Sequence, residues 1–82
     1  MPIKRSTRKV VRAFKRGEAR QMSGALYTDG TVIYSQGLLI AAKSGREIIV
    51  SPPAAAFPRY VRQRIAELRE LMPKSVFASE KL

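Results

Sequence analysis

The chain has 82 residues, of which 45% are hydrophobic, 16 are lysine or arginine and 6 are aspartate or glutamate, giving a formal net charge of +10. This length allows one domain and excludes two independent cores, while the absence of cysteine excludes disulfides and thiolate metal sites. Histidine, the commonest general base and metal ligand, is also absent. We therefore expect a protein that is not an enzyme and that carries no cofactor or metal.

The positive charge is concentrated at the N-terminus. Residues 1–20 contain eight lysines and arginines against one acid, whereas residues 21–57 are neutral and residues 58–82 carry an excess of +3. This distribution predicts a basic N-terminal arm or helix over 1–20, followed by a single small α+β domain over 21–82.

Residues 6–20 are predicted to form a helix. Ser6 or Thr7 can serve as its N-cap, because a hydroxyl oxygen accepts a free backbone N–H there. Four arginines spaced four apart line up on one face, namely Arg8, Arg12, Arg16 and Arg20. Their mutual repulsion and the low helix propensity of Gly17 predict a helix that is frayed until an anionic partner orders it.

Residues 23–51 are predicted to form a small antiparallel β-meander of three to four strands. Asp29-Gly30 and Ser44-Gly45 are two-residue hairpin signals, since these residue types tolerate the positive φ values of a type I′ turn. Gln36-Gly37 is either a third tight turn, which gives four strands and is favoured, or a bend within one long strand.

The predicted registers place apolar side chains on both faces of this sheet. The first turn pairs Tyr27 with Val32, and the second pairs Ala41 with Ile48. Tyr27 is predicted to share its face with Tyr34, Ala41 and Val50, and two tyrosines on an open face could stack with nucleic-acid bases. A role in the hydrophobic core or at its rim is favoured for them, because the C-terminal helix needs a sheet face to cover. The second face then needs cover from another helix or from a second copy in a symmetric homodimer.

Residues 58–72 give the clearest predicted helix. Pro58 suits the first helical position, an apolar stripe recurs at helical spacing, and Pro73 ends the helix. Glu67 and Glu70 lie three apart among arginines, so they are interpreted as a solvated, charge-balanced face. The predicted fold class is therefore α+β, with the meander packed by this helix and preceded by the basic N-terminal segment.

The basic segment indicates binding to a polyanion, with nucleic acid as the first choice. Positive groups every two to four residues can face successive phosphates. The alternative interpretations are a solvated tail, a transport signal or binding to a membrane surface, where the narrow apolar stripe would insert only shallowly. The candidate nucleic-acid-binding residues of the segment are Lys4, Arg5, Arg8, Lys9, Arg12, Lys15, Arg16 and Arg20, and those elsewhere are Lys43, Arg46, Arg62 and Arg69. Lys43 and Arg46 flank the second turn and could cradle a phosphate there, although a plain hairpin turn is favoured.

We therefore expect a nucleic-acid-binding accessory protein that contacts the phosphate backbone of DNA or RNA with weak sequence selectivity. Its expected location is intracellular and soluble, in the cytoplasm or associated with a nucleoid or virion, as for small viral or phage packaging proteins. No apolar run is long enough to span a membrane. The alternative function is a small protein–protein interaction module, a regulator or inhibitor, that docks on an acidic partner surface.

Overall fold

The computed structural model describes residues 3–22, 25–52, 54–74 and the backbone of 76–77. The elements in chain order are α1 (Arg5–Arg16), β1 (Arg20–Met22), β2 (Leu26–Thr28), β3 (Val32–Ser35), β4 (Leu38–Ser44), β5 (Glu47–Val50), α2 (Arg59–Leu71) and β6 (Val76–Phe77). Strands β1 to β5 form an antiparallel meander, and β6 pairs in parallel with β5. The α+β fold predicted from the sequence is confirmed.

The third tight turn of the meander is present. Gln36 has φ +52° and Gly37 has φ +79°, which is the pair of positive values that a type I′ turn requires. Ser35 accordingly pairs with Leu38 across the turn. The favoured prediction of separate strands on either side of Gln36-Gly37 is therefore confirmed, whereas β1 and β6 were not predicted as strands.

The β2–β3 hairpin has a register two residues away from the predicted one. Tyr27 pairs with Tyr34 rather than with Val32. The loop is wider because Asp29 Oδ1 accepts hydrogen bonds from the Thr31 hydroxyl at 2.7 Å and from the Thr31 backbone N–H at 2.8 Å. These bonds replace the tight type I′ turn, and a shift of two residues keeps each side chain on its predicted face.

The β4–β5 hairpin is also displaced by two residues. Ala41 pairs with Val50 rather than with Ile48. The two turn residues are Gly45 and Arg46, and Gly45 has φ +61°. Glycine at the first turn position is typical of a type II′ turn, so the turn lies one residue further along the chain than predicted.

A β-bulge in β4 places the residues that follow it on the sheet face opposite to the predicted one. Tyr34 pairs with Leu39, but the register shifts by one residue immediately next to that pair, which leaves Ile40 as the extra residue. Ile40 and Ala41 are consequently both buried although they are adjacent. The prediction that Ala41 and Val50 share a face with the tyrosines is therefore wrong, because the bulge places them on the opposite side.

Both helices cover the same face of the sheet. The buried apolar core combines side chains of α1, α2 and β2 to β5, namely Val10, Val11, Phe14, Leu26, Ile33, Ile40, Ala41, Val50, Val61, Ile65, Leu68 and Met72. Helix α2 has Pro58 as its N-cap rather than its first residue, and it ends just before Pro73. The tyrosine-bearing face is thus not the face that α2 covers, contrary to the favoured prediction.

Helix α1 contributes directly to this core. Val10, Val11 and Phe14 are at most 4% exposed and pack against the sheet. The expected fraying without a partner was argued from the helix alone, whereas this packing stabilises the helix through tertiary contacts that the sequence does not reveal. The division into an arm over 1–20 and a domain over 21–82 stays a prediction. In the structure, both parts contribute side chains to one core.

Helix α1 is shorter than the predicted segment 6–20, because Gly17 ends it. Gly17 has φ +74°, and the N–H of Glu18 donates to the carbonyl of Ala13 at 2.9 Å, as in a Schellman motif. Arg20 therefore lies in β1, and only three arginines of the predicted ladder belong to the helix.

The β2–β3 loop packs against this end of α1. Gly30 has φ +100°, and a Cβ placed on it would lie 2.5 Å from the carbonyl carbon and oxygen of Gly17. Only glycine fits this approach, since no Cβ is found so close to backbone atoms. The contact fixes the C-terminal end of α1 on the sheet.

Candidate nucleic-acid interface

The face of α1 that points away from the core carries only basic side chains. At 3.6 residues per turn, its cations fall within an arc of about 120° and extend over about 16 Å along the axis. These exposed residues are Arg5, Arg8, Lys9, Arg12, Lys15 and Arg16. The buried Val10 and Phe14 lie on the opposite side of the helix. Burial of the apolar stripe therefore determines that the cations face solvent together.

Arg20 joins the helix cations although it belongs to β1. Lys9, Arg12, Arg16 and Arg20 line a shallow concavity of about 120 Å³, together with Glu18. Cations that converge on a concave surface raise the local positive potential. A phosphate group in this concavity would lie close to several of them.

A further group of cations surrounds an open pocket of about 370 Å³ at the C-terminal end of α1. Lys15 from α1, Arg46 from the β4–β5 turn and Lys74 after α2 line the pocket together with the acidic Glu47. Its remaining lining residues are apolar, namely Ile48, Leu71, Met72 and Pro73. Lys74 was not predicted from the sequence, because its position beside Lys15 and Arg46 follows from the packing of α2.

Lys43 lies apart from these exposed cations. It is half-buried on the helix-covered face, with its Nζ 5.1 Å from the centroid of the Phe14 ring, a distance typical of a cation–π contact. Arg46 instead lies exposed in the turn. Arg46 lines the pocket with Lys15, whereas Lys43 contacts Phe14, and the phosphate cradle at this hairpin stays a prediction.

The cations of α2 are divided between the surface and the core. Arg62 is exposed, whereas Arg69 is half-buried. Two further surface residues of α2 were not predicted from the sequence, namely Arg59, the exposed first residue of the helix, and Tyr60, which is 60% exposed. Arg59 and Tyr60 line a small surface pocket with Gln63. Tyr60 lies outside the apolar stripe of this basic helix. That position could have indicated a base-stacking residue, since exposed aromatic side chains can stack on bases.

Arg64 and Glu67 form a buried ion pair within α2, and Glu67 also joins this helix to α1. Arg64 Nη1 lies 2.9 Å from Glu67 Oε1, and the same oxygen accepts a hydrogen bond of 2.8 Å from the Thr7 hydroxyl. Glu67 Oε2 accepts a further bond of 2.8 Å from the backbone N–H of Lys4, the N-cap of α1. The predicted N-cap at Ser6 or Thr7 is therefore wrong.

The sequence predicted Glu67 to lie on a solvated face of α2. This prediction is wrong, because Glu67 is buried. Its carboxylate takes the place of the capping-box acid that α1 lacks, and it places negative charge at the positive end of the helix dipole. Arg64 is only 9% exposed, so its charge serves the fold. The side chain of Lys4 remains exposed and extends the row of cations beyond the first turn.

Within the residues that the structure describes, no group of three or more His, Cys, Asp or Glu side chains could hold a metal ion. Neither helix in these ranges is long and apolar enough to cross a membrane. No protein-family model matches this sequence, and no curated protein or solved structure matches it significantly. The functional proposal therefore rests on the charge and geometry of the surface.

Proposed function

We propose that this protein is a non-catalytic nucleic-acid-binding protein that contacts the phosphate backbone through the outward face of α1. The observation that supports this proposal is the arc of six exposed cations on one helix that contains no acid. Among the described residues, none of these six side chains forms an ion pair. The charge of the arc is thus available to an anionic partner.

The rigidity of α1 favours binding. Glu67 holds the N-terminal end of the helix, and the contact between Gly30 and Gly17 fixes the C-terminal end. A helix that is ordered before binding does not lose backbone entropy on binding, so more of the electrostatic attraction contributes to affinity.

Phosphate contacts predict strong salt dependence and weak sequence selectivity. Each neutralised phosphate of duplex DNA releases counterions, which lowers log K by about 0.9 per decade of salt. About five contacts would therefore give a slope of about −4.5. Contacts with phosphates carry no direct sequence information, so we expect similar affinity for duplexes of different sequence. Such a protein would act where nucleic acid is accessible, in the cytoplasm, on a nucleoid or in a virion.

Two charge-matched variants test the location of the interface. The first carries Arg5→Gln, Lys9→Gln, Arg12→Gln and Arg16→Gln, and the second carries Arg59→Glu and Arg62→Glu on α2. All six side chains are exposed, so both variants should fold, and both lower the net charge by four. Binding to labelled duplex DNA, single-stranded DNA and RNA is measured over a salt series. In the α1 variant, we expect the slope of log K against log salt concentration to become shallower by about 3.6. In the control variant, it should change by less than about 1.

Equal losses in the two variants would show that net charge alone governs binding and that α1 is not an interface. If the unmodified chain binds no nucleic acid at low salt, the proposal is wrong and an acidic protein surface becomes the better partner for these cations. Deletion of residues 1–20 is not a suitable test, since it would remove Val10, Val11 and Phe14 from the core.

A further inference from the structure

The sheet face opposite the helices is apolar at its centre and is not covered by either helix. Tyr27 is 36% exposed and Leu39 is 48% exposed on this face. The other outward-facing apolar side chains of β3 to β5 are half-buried, namely Val32, Tyr34, Ala42 and Ile49. None of the outward side chains of β2 to β5 is a lysine or arginine, in contrast to the helical side of the molecule.

This face has a ridge beside a groove. Tyr27 and Tyr34 are directly paired across β2 and β3, with their ring centroids 6.4 Å apart and the rings inclined by 25°. Leu39 pairs with Tyr34 on the next strand, so three large side chains form a continuous ridge. Next to it, between β4 and β5, Ala42 and Ile49 contribute to a groove of about 200 Å³.

We infer that a second copy of this chain covers this face, with the ridge of each copy seated in the groove of the other. A two-fold interface must be self-complementary, because the same patch is used on both copies. The tyrosines of the ridge lie on the β3 side of β4 and the groove lies on its β5 side, while Leu39 on β4 belongs to the ridge and also lines the groove. A two-fold axis along β4 therefore places Tyr34 of each copy above β5 of its partner, since adjacent strands are about 4.8 Å apart.

Charge favours the same arrangement. Two copies with a net charge of +10 repel each other, and association through the helices would bring their cations together. Association through the sheets places the two α1 helices on opposite outer surfaces of the dimer. Their separation then exceeds the Debye length of about 8 Å at physiological salt, so the repulsion is largely screened.

The size of the face sets the expected strength of this dimer. The five strands of the meander have 3 to 7 residues and lie about 4.8 Å apart, which gives a face of about 350 Å² per copy. A standard interface buries about 800 Å² per partner. Because the face is smaller than a standard interface, we expect a weak and reversible dimer. Such a dimer would present two cationic helices and would bind a long polyanion more tightly than a monomer does.

Sedimentation of the full chain without nucleic acid, from low to high micromolar concentration and at elevated salt, tests this inference. We expect the mean mass to rise from 9.2 kDa towards twice that value. Leu39→Lys should raise the dimer Kd at least tenfold. Tyr60→Lys, which introduces the same charge at an exposed position on α2, should leave it unchanged.

A monomer at every concentration, or equal weakening by the two variants, would overturn the inference. Assembly beyond a dimer would also overturn it, because a two-fold interface closes. Tyr27→Lys serves as a second ridge variant if Leu39→Lys does not fold, as judged by circular dichroism. Because no nucleic acid is present, these outcomes are independent of the proposed function.

Discussion

The hydroxyl of Thr7 on α1 donates a hydrogen bond of 2.8 Å to Glu67 Oε1 on α2, across 60 positions of the sequence. Both residues are buried, with 0% and 8% of their surface exposed. Helix α1 has no acid in its first turn, so Glu67 supplies the negative charge that its N-terminus lacks. The most cationic element of the protein is thus held in place by a carboxylate from the other helix.

Replacement of Glu67 should strongly destabilise the protein. Glu67→Ala leaves the buried guanidinium of Arg64 without its partner and removes two hydrogen bonds at the N-terminus of α1. We expect a loss of about 3 kcal/mol in the free energy of unfolding, measured by urea denaturation. Glu70→Ala is the matched control on the exposed side of α2 and should change it by less than about 0.5 kcal/mol. Similar effects of the two substitutions would contradict the role given to Glu67.

A methyl group at Gly30 should separate the β2–β3 loop from α1. Gly30→Ala combines a positive φ with a Cβ that meets the backbone of Gly17 at 2.5 Å, so we expect a loss of about 3 kcal/mol in unfolding free energy. Gly37→Ala also adopts a positive φ but meets no atom within 4 Å, and it should cost only about 1 kcal/mol. Thermal unfolding of both variants measures the difference, and equal losses would show that the contact with α1 is not tight.

The Asp29 loop should contribute a pH-dependent part of the stability. Hydrogen bonds from the Thr31 hydroxyl, then from the backbone N–H groups of Thr31 and Val32, lower the pKa of Asp29 below its ordinary value of 3.8. A lowered pKa in the folded state means that this stabilisation is present above pH 3.8 and is lost as the pH falls through the folded-state pKa.

Comparison of the unmodified chain with Asp29→Asn between about pH 5 and pH 2 measures this effect, because asparagine cannot titrate in this range. The difference in urea midpoint should be largest at the higher pH and should shrink on acidification. If the difference in urea midpoint between the two proteins did not change with pH, the hydrogen bonds to Asp29 would not favour its ionised form.

The turn between β3 and β4 can be improved. Gln36 has φ +52° ahead of Gly37 in a type I′ turn, and asparagine tolerates this conformation better than glutamine. Gln36→Asn should raise the free energy of unfolding by about 0.5 kcal/mol. Gln21→Asn, the same substitution in the exposed strand β1, should give no gain. A loss of stability in Gln36→Asn would contradict the turn assignment.

Local chemistry was sufficient to predict most of the elements but not how they pair. Pro73 and the Gln36-Gly37 turn fix a helix end and a hairpin by their own backbone preferences, so they could be predicted. The registers depend on the hydrogen bonds of Asp29 and on the extra residue Ile40 in β4, neither of which follows from turn propensity. A bulge of one residue reverses the face on which the following residues lie. Strict alternation therefore assigned Ala41 and Val50 to the wrong face of the sheet.

The candidate interface was predictable to the extent that it depends on α1. The apolar stripe of α1 determines which side of the helix is buried, so the cations on the other side must face solvent. The partners of individual charges depend on tertiary packing. Lys43 contacts Phe14, and Arg64 pairs with Glu67 beneath α1. Arg59 adds to the exposed cations only because α2 packs with its first residue at the surface.

The most direct test of the central claim is a titration of the isotope-labelled full chain with short duplex DNA at low salt, followed by two-dimensional amide NMR. The account predicts that the largest shift changes fall on Arg5–Arg16 and Arg20, with smaller changes at Arg46 and Lys74. These changes should disappear as salt is added, because phosphate contacts release counterions. Changes centred instead on Tyr27, Tyr34 and Leu39, or no changes at all, would contradict the claim that α1 is the nucleic-acid interface.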